Sequence, residues 1–335
     1  MRLRVLVIGL GTIGRSHALA HHHLGSDIVG LVNRSNTALP AALQPYAQFT
    51  SVEAGLATRP DLVVIATYSD SHAELAIRAM EQGAHVFVEK PIATTVADAE
   101  RVAATAKRLN RKLTVGYILR HHPSWMRLIA EARGLGGPYV FRMNLNQQST
   151  GAEWQVHKAL MRSTSPIVDC GVHYVDVMCQ ITDAAPLRVS GMGLRLSDEI
   201  APDMYNYGQF QVHFADGSVG WYEAGWGPMM SETAFFVKDV ICRSGAVSIV
   251  DAEKGASSDI DAHTKVGTIK LHRLTGDQVI TLAGEPDHQA LCNAEQAHII
   301  NAVKADLDLD RHLRDAVQSL RICLAADQRD RKSVV

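Results

Sequence analysis

The chain has 335 residues, 47% of them apolar and 20% charged, with a formal net charge of −2. That length suits two domains, and the balance is that of a globular protein with apolar residues enough for a core in each half. Near-neutral charge without a basic block argues against nucleic acid or an anionic membrane as partner, and no apolar stretch reaches spanning length.

The start, Met1-Arg2-Leu3-Arg4-Val5, is charged and then apolar, but the apolar run ends in a glycine loop with no small-residue cleavage site. It reads as a first strand, not a signal peptide. Five cysteines (Cys170, Cys179, Cys242, Cys292 and Cys323) are scattered and never form a CxxC pair. Such usage points to inert thiols in a reduced, cytoplasmic protein.

Residues 1–120 alternate strand and helix signals. Segments 3–9, 28–33, 62–67, 85–89 and 113–117 are short, apolar and rich in Val and Ile, as strands covered on both faces should be. The alternation predicts a Rossmann-type, doubly wound parallel sheet. Residues 121–335 follow another pattern: a helix at 123–131, a strand at 139–146, a helix at 166–181, strands and hairpins from 187 to 282, and amphipathic helices near 288–305 and 313–326. Ala215-Asp216-Gly217-Ser218 is the clearest hairpin turn. The expectation is an α+β domain with a large, mainly antiparallel sheet and both closing helices on one side.

The loop Gly9-Leu10-Gly11-Thr12-Ile13-Gly14 follows the first strand directly and opens a helix. In such a GxGxxG loop the first Gly permits the turn, the second lets a pyrophosphate approach the backbone, and the third packs helix on strand. Without a ligand it would be only a tight turn, but its place in a βαβ unit favours the cofactor. An acid to grip the ribose is expected at the end of the second strand, where the chain instead reads Val32-Asn33-Arg34-Ser35. Asn33 can bond a ribose hydroxyl, while Arg34 and Ser35 suit a 2′-phosphate, so NADP is favoured over NAD. Arg34 taken alone would be a solvated loop charge.

The strand at 85–89 ends Glu89-Lys90-Pro91, where parallel strand ends face the ligand crevice. By itself a Glu-Lys pair there is usually a surface ion pair. Taken with the glycine loop, with Ala66-Thr67-Tyr68-Ser69-Asp70-Ser71-His72, with Gly116-Tyr117-Ile118-Leu119-Arg120 and with Asp169-Cys170-Gly171-Val172-His173-Tyr174-Val175-Asp176, the chain resembles the glucose–fructose oxidoreductase / inositol dehydrogenase (Gfo/Idh/MocA) family. The resemblance runs through the whole chain with the motifs in order.

It implies an NAD(P)-dependent oxidoreductase acting on a sugar, inositol or related polyol. It places Lys90 beside nicotinamide and substrate, Glu89 on the cofactor side, and Thr67, Tyr68 and His72 under the nicotinamide ribose. Tyr68 and Ser69 depart from the family's usual Pro and Asn. Arg120 matches an Arg found near substrate in many members, and relatives commonly pair through the second domain's sheet, which implies a homodimer or homotetramer.

Asp169 and His173 are four residues apart, so a helix would stack them on one face. Taken alone, such a pair is a solvent-facing contact; the resemblance makes it the catalytic pair, with His173 as base and Asp169 and Lys90 assisting. Asp176, on a nearby face, would support His173 or cap a structural contact, and the structural contact is favoured. Gln147, Gln148, Trp154 and His157 are candidate substrate-binding residues, and the segment 222–228 stays unassigned. His17, His21, His22 and His23 suggest a metal patch, but no carboxylate or Cys completes a set in sequence, so they are read as a solvated helix end and no metal is expected. Two alternatives to the dehydrogenase stay open: a hydrolase or lyase of the same fold with tightly held NAD, and a cofactor-binding regulator without chemistry.

Overall fold

A computed structural model describes residues 2–35, 37–231, 237–250 and 267–330. The chain forms two compact units, Met1–Ile118 with Gln289–Val317, and Leu119–His288 with Gln318–Val335.

In the first unit, β1 (Arg4–Ile8), β2 (Asp27–Val32), β3 (Gln48–Phe49), β4 (Leu62–Ile65), β5 (His85–Val88) and β6 (Leu113–Val115) form a parallel sheet in the order β3-β2-β1-β4-β5-β6. This is the expected doubly wound order, with its reversal between β1 and β4. All four residues of β4 are fully buried, which is why the strands read as unbroken apolar runs. The helices between them are α1 (Thr12–His23), α2 (Val52–Leu56), α3 (His72–Glu81) and α4 (Val96–Arg108). Side chains start two of these: Ser51 accepts from the Ala54 amide, and Thr95 from that of Asp98. Strand β3 was not among the predicted elements, because two residues carry no period to detect.

The second unit begins with α5 (Pro123–Leu135), β7 (Val140–Gln147), α6 (Gly151–Leu160), α7 (Pro166–Asp169) and α8 (Gly171–Thr182). Then follow β8 (Pro186–Leu194), β9 (Tyr207–Phe214), β10 (Val219–Trp226), β11 (Lys238–Cys242), β12 (Gly245–Val250), β13 (Thr268–Arg273) and β14 (Gly276–Thr281). The eight strands are ordered β14-β13-β12-β11-β7-β10-β9-β8 and pair antiparallel, except β7 with β10. Alternate residues Phe210, Val212 and Phe214 of β9 and Tyr222, Ala224 and Trp226 of β10 are buried, so one face of the sheet is a core face. α5 packs on β11, β12 and β13, while α7 and α8 pack on β10. The predicted turn closes the β9–β10 hairpin, with Gly217 at φ 86° and Asp216 Oδ1 accepting from the Ser218 amide. The predicted helix 166–181 is present as α7 and α8, jointed at Cys170.

The last helices are α9 (His288–Lys304) and α10 (Asp310–Asp330). Here the expected division into 1–120 and 121–335 needs correction, because Gln289–Val317 belongs to the first unit. Ile299, Ala302 and Leu309 enter the core formed by Val5, Val7, Leu31, Val64 and Phe87, and His312 Nε2 accepts from the Val115 amide at 2.8 Å. Only the later part of α10 joins the second unit, where Asp327 accepts from the Tyr205 hydroxyl at 2.7 Å. An apolar stripe shows that a helix must be covered, not which sheet covers it. All five cysteines are buried and unbridged, and among the described residues no helix is long and apolar enough to cross a membrane.

Candidate active site

The glycine loop occupies the β1–α1 junction, where the sheet order reverses. Gly9 has φ 91°, and a Cβ on it would collide with the Ala66 carbonyl at the end of β4. A Cβ on Gly14 would strike the Gly9 carbonyl, so this position sets the close approach of helix to strand. Gly11 is different: nothing lies within 4 Å of the place its Cβ would take. No side chain caps the first turn of α1, so the amides around Thr12 and Ile13 form a bare helix N-terminus beside that open space. Both features fit a dinucleotide pyrophosphate.

At the end of β2, Asn33 serves the loop itself. Its Oδ1 accepts from the Leu10 amide at 3.2 Å and its Nδ2 donates to the Ser35 carbonyl at 2.7 Å. Arg34 and Ser35 are exposed.

Three neighbours shape the turn that carries Lys90. Glu89 Oε2 accepts from the Lys90 amide at 3.2 Å, and Glu89 Oε1 lies 2.7 Å from His17 Nε2. A Cβ at Gly116 would stand 2.8 Å from Glu89 Oε1, so glycine after β6 leaves room for this carboxylate. On the other side His72, buried in α3, places Nδ1 2.8 Å from the Pro91 carbonyl and Nε2 3.1 Å from the Thr67 carbonyl. Burial lowers the His72 pKa, so the ring is neutral and the shorter bond keeps the proton on Nδ1. His72 therefore donates to the Pro91 carbonyl and ties the Lys90–Pro91 turn to α3, while its unprotonated Nε2 donates nothing to the Thr67 carbonyl. Thr67 Oγ1 bonds Ser71 Oγ at 2.7 Å, and Tyr68 is exposed.

The histidines of α1 overturn the expectation of a solvated helix end. His17 and His21 are fully buried under α9, and both bond Gln296, while His22 and His23 are exposed. Glu295 and Cys292 complete the polar cluster that the sequence reading found missing. A signal existed: Leu291, Cys292, Glu295, Gln296, Ile299 and Ala302 make one buried stripe, with two polar residues at core positions. Burial and the charge of Glu89 push the Glu295 carboxyl well above its ordinary pKa.

In the second unit, Asp169 ends α7 and His173 lies in the first turn of α8, both half-buried. Gly171 between them is where α8 meets β10, since a Cβ there would stand 3.1 Å from the Tyr222 ring. Gln147 Oε1 accepts from Trp226 Nε1 at 2.8 Å and lies 3.8 Å from Cys170 Sγ; His157 stacks on Trp226 with centroids 4.4 Å apart. Gln147, His157 and Trp226 of the unassigned segment 222–228 are thus brought to the Asp169–Gly171 joint. Gln148 and Trp154 turn elsewhere, to the Met230 carbonyl and to Glu199. Arg120 is engaged by Asp176, with Nε and Nη2 at 2.8 and 2.6 Å from its two oxygens, and Asp176 is fully buried. The bidentate pair anchors α8, which agrees with the structural reading of Asp176.

Residues 3–117 match the family described as "Oxidoreductase family, NAD-binding Rossmann fold", and residues 125–237 match the "GFO/IDH/MocA C-terminal domain". The chain belongs to the Gfo/Idh/MocA family. Among curated relatives, it is 28% identical to inositol 2-dehydrogenase of Salmonella typhimurium over 192 residues, covering 53% of this chain and 54% of that protein. It is 29% identical to UDP-N-acetylglucosamine 3-dehydrogenase of Acidithiobacillus ferrooxidans over 196 residues, covering 58% and 59%. The chain therefore spans little more than half the length of the curated relatives it matches. The structure of the Acidithiobacillus ferrooxidans UDP-N-acetylglucosamine 3-dehydrogenase superposes with a TM-score of 0.79 at 20% identity, covering 98% of both chains. A dehydrogenase of Bordetella pertussis solved with NADH and UDP-GlcNAcA gives 0.77 at 19%, covering 100% of this chain and 98% of that one. At these identities the structures share the fold. As a member of this family the chain has an NAD(P)-binding Rossmann domain.

Proposed function

We propose that the chain is a dehydrogenase that moves hydride between NAD(P) and a secondary hydroxyl or keto carbon of a sugar, inositol or related polyol. The observation that carries this reading is the open helix N-terminus at Gly11 on the same sheet edge as the braced Lys90 turn. When bound, the nicotinamide supplies the hydride acceptor or donor. Gly9, Gly11, Thr12, Ile13 and Gly14 hold its pyrophosphate, and Thr67, Tyr68, His72 and Glu89 belong to the segments that shape its binding edge. NADP is the favoured form, supported by the exposed Arg34 and Ser35 and the missing acid.

The residue chemistry follows from charge. The Lys90 ammonium stabilises a developing alkoxide, which eases loss of the hydroxyl proton. Neutral His173 accepts that proton, and returns it when a carbonyl is reduced. Asp169, at the end of α7 across the Cys170 joint, orients the ring or holds a neighbouring hydroxyl. Arg120, Gln148, Trp154 and His157 remain the candidate specificity residues; the stacked His157 and the joint at Cys170 favour His157 among them.

Assembly as a homodimer or homotetramer is part of the same reading. It is supported by Leu187, Met192, Leu194 and Val219, exposed apolar residues on β8 and β10. Sedimentation as a monomer at micromolar concentration would remove it. Localisation in the cytoplasm is supported by the five unbridged cysteines.

A panel of sugars, inositols, sugar acids and nucleotide sugars, each with NAD and NADP, tests the function by nicotinamide absorbance. Turnover is expected with at least one member. Lys90→Ala should lower kcat by roughly a hundredfold while the cofactor still binds. Oxidation should rise with pH as the His173 ring loses its proton, and His173→Asn should remove that limb. Near-normal turnover in Lys90→Ala, or no turnover across the panel, would sink the proposal.

A further inference from the structure

Inside the first unit, side chains of α1 and α9 form a hydrogen-bond chain that ends on Glu89. Ser26 Oγ lies 3.1 Å from His21 Nδ1, and His21 Nε2 lies 2.9 Å from Gln296 Oε1. Gln296 Nε2 lies 3.0 Å from His17 Nδ1, and His17 Nε2 lies 2.7 Å from Glu89 Oε1. An amide donates only from nitrogen and accepts only at oxygen, so Gln296 directs the whole chain. His21 must donate from Nε2, and its Nδ1 accepts from the Ser26 hydroxyl. His17 must accept at Nδ1 and donate from Nε2 to Glu89. His17, His21 and Gln296 are fully buried, and each ring is held in one tautomer and one orientation.

Two other uses of this cluster fit less well. A proton entering at His21 would have to cross Gln296, whose amide holds its protons. A metal ion would draw on His17, Cys292 and Glu295, whose ligand-type atoms lie within 4.8 Å of one another, but both nitrogens of His17 already serve Glu89 and Gln296. What the chain does is hold Glu89. Its other oxygen receives the Lys90 amide, and His72 holds the Pro91 carbonyl from the opposite side.

We infer that His17 is a positioning residue: backed by Gln296 and His21, it fixes the Glu89 carboxylate and thereby the backbone from which Lys90 presents its ammonium. The inference rests on the reading of Lys90 as catalytic. The charged or titratable groups around Glu89 are His17 from α1, His72 from α3, Glu295 from α9 and the adjacent Lys90. Burial and the Glu89 charge raise the Glu295 pKa, which favours its protonated form beside Glu89.

The test compares two amides of different reach. The Gln side-chain nitrogen can take the place of ring Nε2 and still reach Glu89, whereas that of Asn takes the place of Nδ1 and stops short. His17→Gln should keep kcat within about threefold, and His17→Asn should lose about tenfold to a hundredfold, the scale of a misplaced catalytic group. Nicotinamide affinity, read by NADH and NADPH fluorescence, should stay within about threefold in both, because a fold defect would move it as well. The double variant His17→Asn/Glu89→Gln should be no slower than Glu89→Gln alone, as residues acting in series require. A wild-type kcat in His17→Asn beside a slow Lys90→Ala enzyme would overturn this inference alone; a fast Lys90→Ala enzyme would instead remove the functional reading. A readout independent of turnover is the 15N spectrum of the histidine-labelled full chain. His17 and His21 should each show the Nε2–H tautomer, and Nδ1–H at either ring would overturn the chain.

Discussion

Gly171 stands against Tyr222: a Cβ at residue 171 would lie 3.1 Å from the Tyr222 ring and 3.2 Å from Cys323 Sγ. Tyr222 cannot swing aside, because it is fully buried and stacked on Tyr174 with centroids 5.1 Å apart. The first residue of α8 is therefore glycine for packing, and His173 follows two residues later.

Gly171→Ala sets two effects against each other. Alanine favours a helix by about 1 kcal/mol, while overpacking a filled core costs about 1–3 kcal/mol. With two buried neighbours in the way, overpacking should win, giving a net loss of roughly 1 kcal/mol and a lower kcat. Denaturant midpoints decide this; a more stable Gly171→Ala protein would show that the contact is loose.

Arg34→Ala should separate the two cofactors. Loss of one hydrogen bond to a charged group, about 1.5–3 kcal/mol, corresponds to roughly tenfold to a hundredfold weaker NADP binding. NAD should be almost unaffected. Titration of nicotinamide fluorescence measures both, and equal losses would show that Arg34 does not read a 2′-phosphate.

His21 predicts an acid limb in stability. Burial, the largest cause, lowers its pKa from 6.5 to about 4, against the hydrogen bond it donates to Gln296, which raises it. The unfolded chain then binds a proton that the folded protein refuses, so this stability is fully present above pH 6.5 and is lost as pH falls to about 4. At 1.36 kcal/mol per unit the loss is about 3 kcal/mol. His21→Gln keeps a donor toward Gln296 without titrating, so its unfolding free energy should depend less on pH across this window. Parallel slopes for the two proteins would exclude His21 as the source.

Glu295 predicts the opposite slope. Its folded pKa is raised, so stability is greatest below its ordinary pKa of 4.5 and declines as pH climbs toward the folded value. Glu295→Gln resembles the protonated acid and should melt higher than the parent protein at pH 8, with the gap closing near pH 4.5. A lower melting temperature at pH 8 would mean that the ionised carboxylate is the native form.

The features legible from sequence are those set by local covalent geometry and short-range period. Gly9 and Gly14 make the close contacts that their spacing implies, and Gly11 leaves open space beside the same turn. The parallel strands followed from apolar runs, and the β9–β10 hairpin from Asp216-Gly217. Asn33 follows β2, and its side chain braces the glycine loop, which depends on where the Leu10 amide points.

Tertiary structure alone decided the rest. His17 and His21 have a helical spacing that suits a solvated surface equally well, and only α9, some 275 residues further along the chain, buries them and directs their protons. The same fold gives α9 to the first unit, since Ile299 and Ala302 complete a core that no local pattern names. Arg120 carries a family motif, yet Asp176, 56 residues away, determines what its guanidinium does. Sequence by itself determined the strands, the turns and the glycine loop, because those depend on near neighbours. Which polar groups meet in the dark of the core depends on long-range packing, and the chain's local chemistry does not encode it.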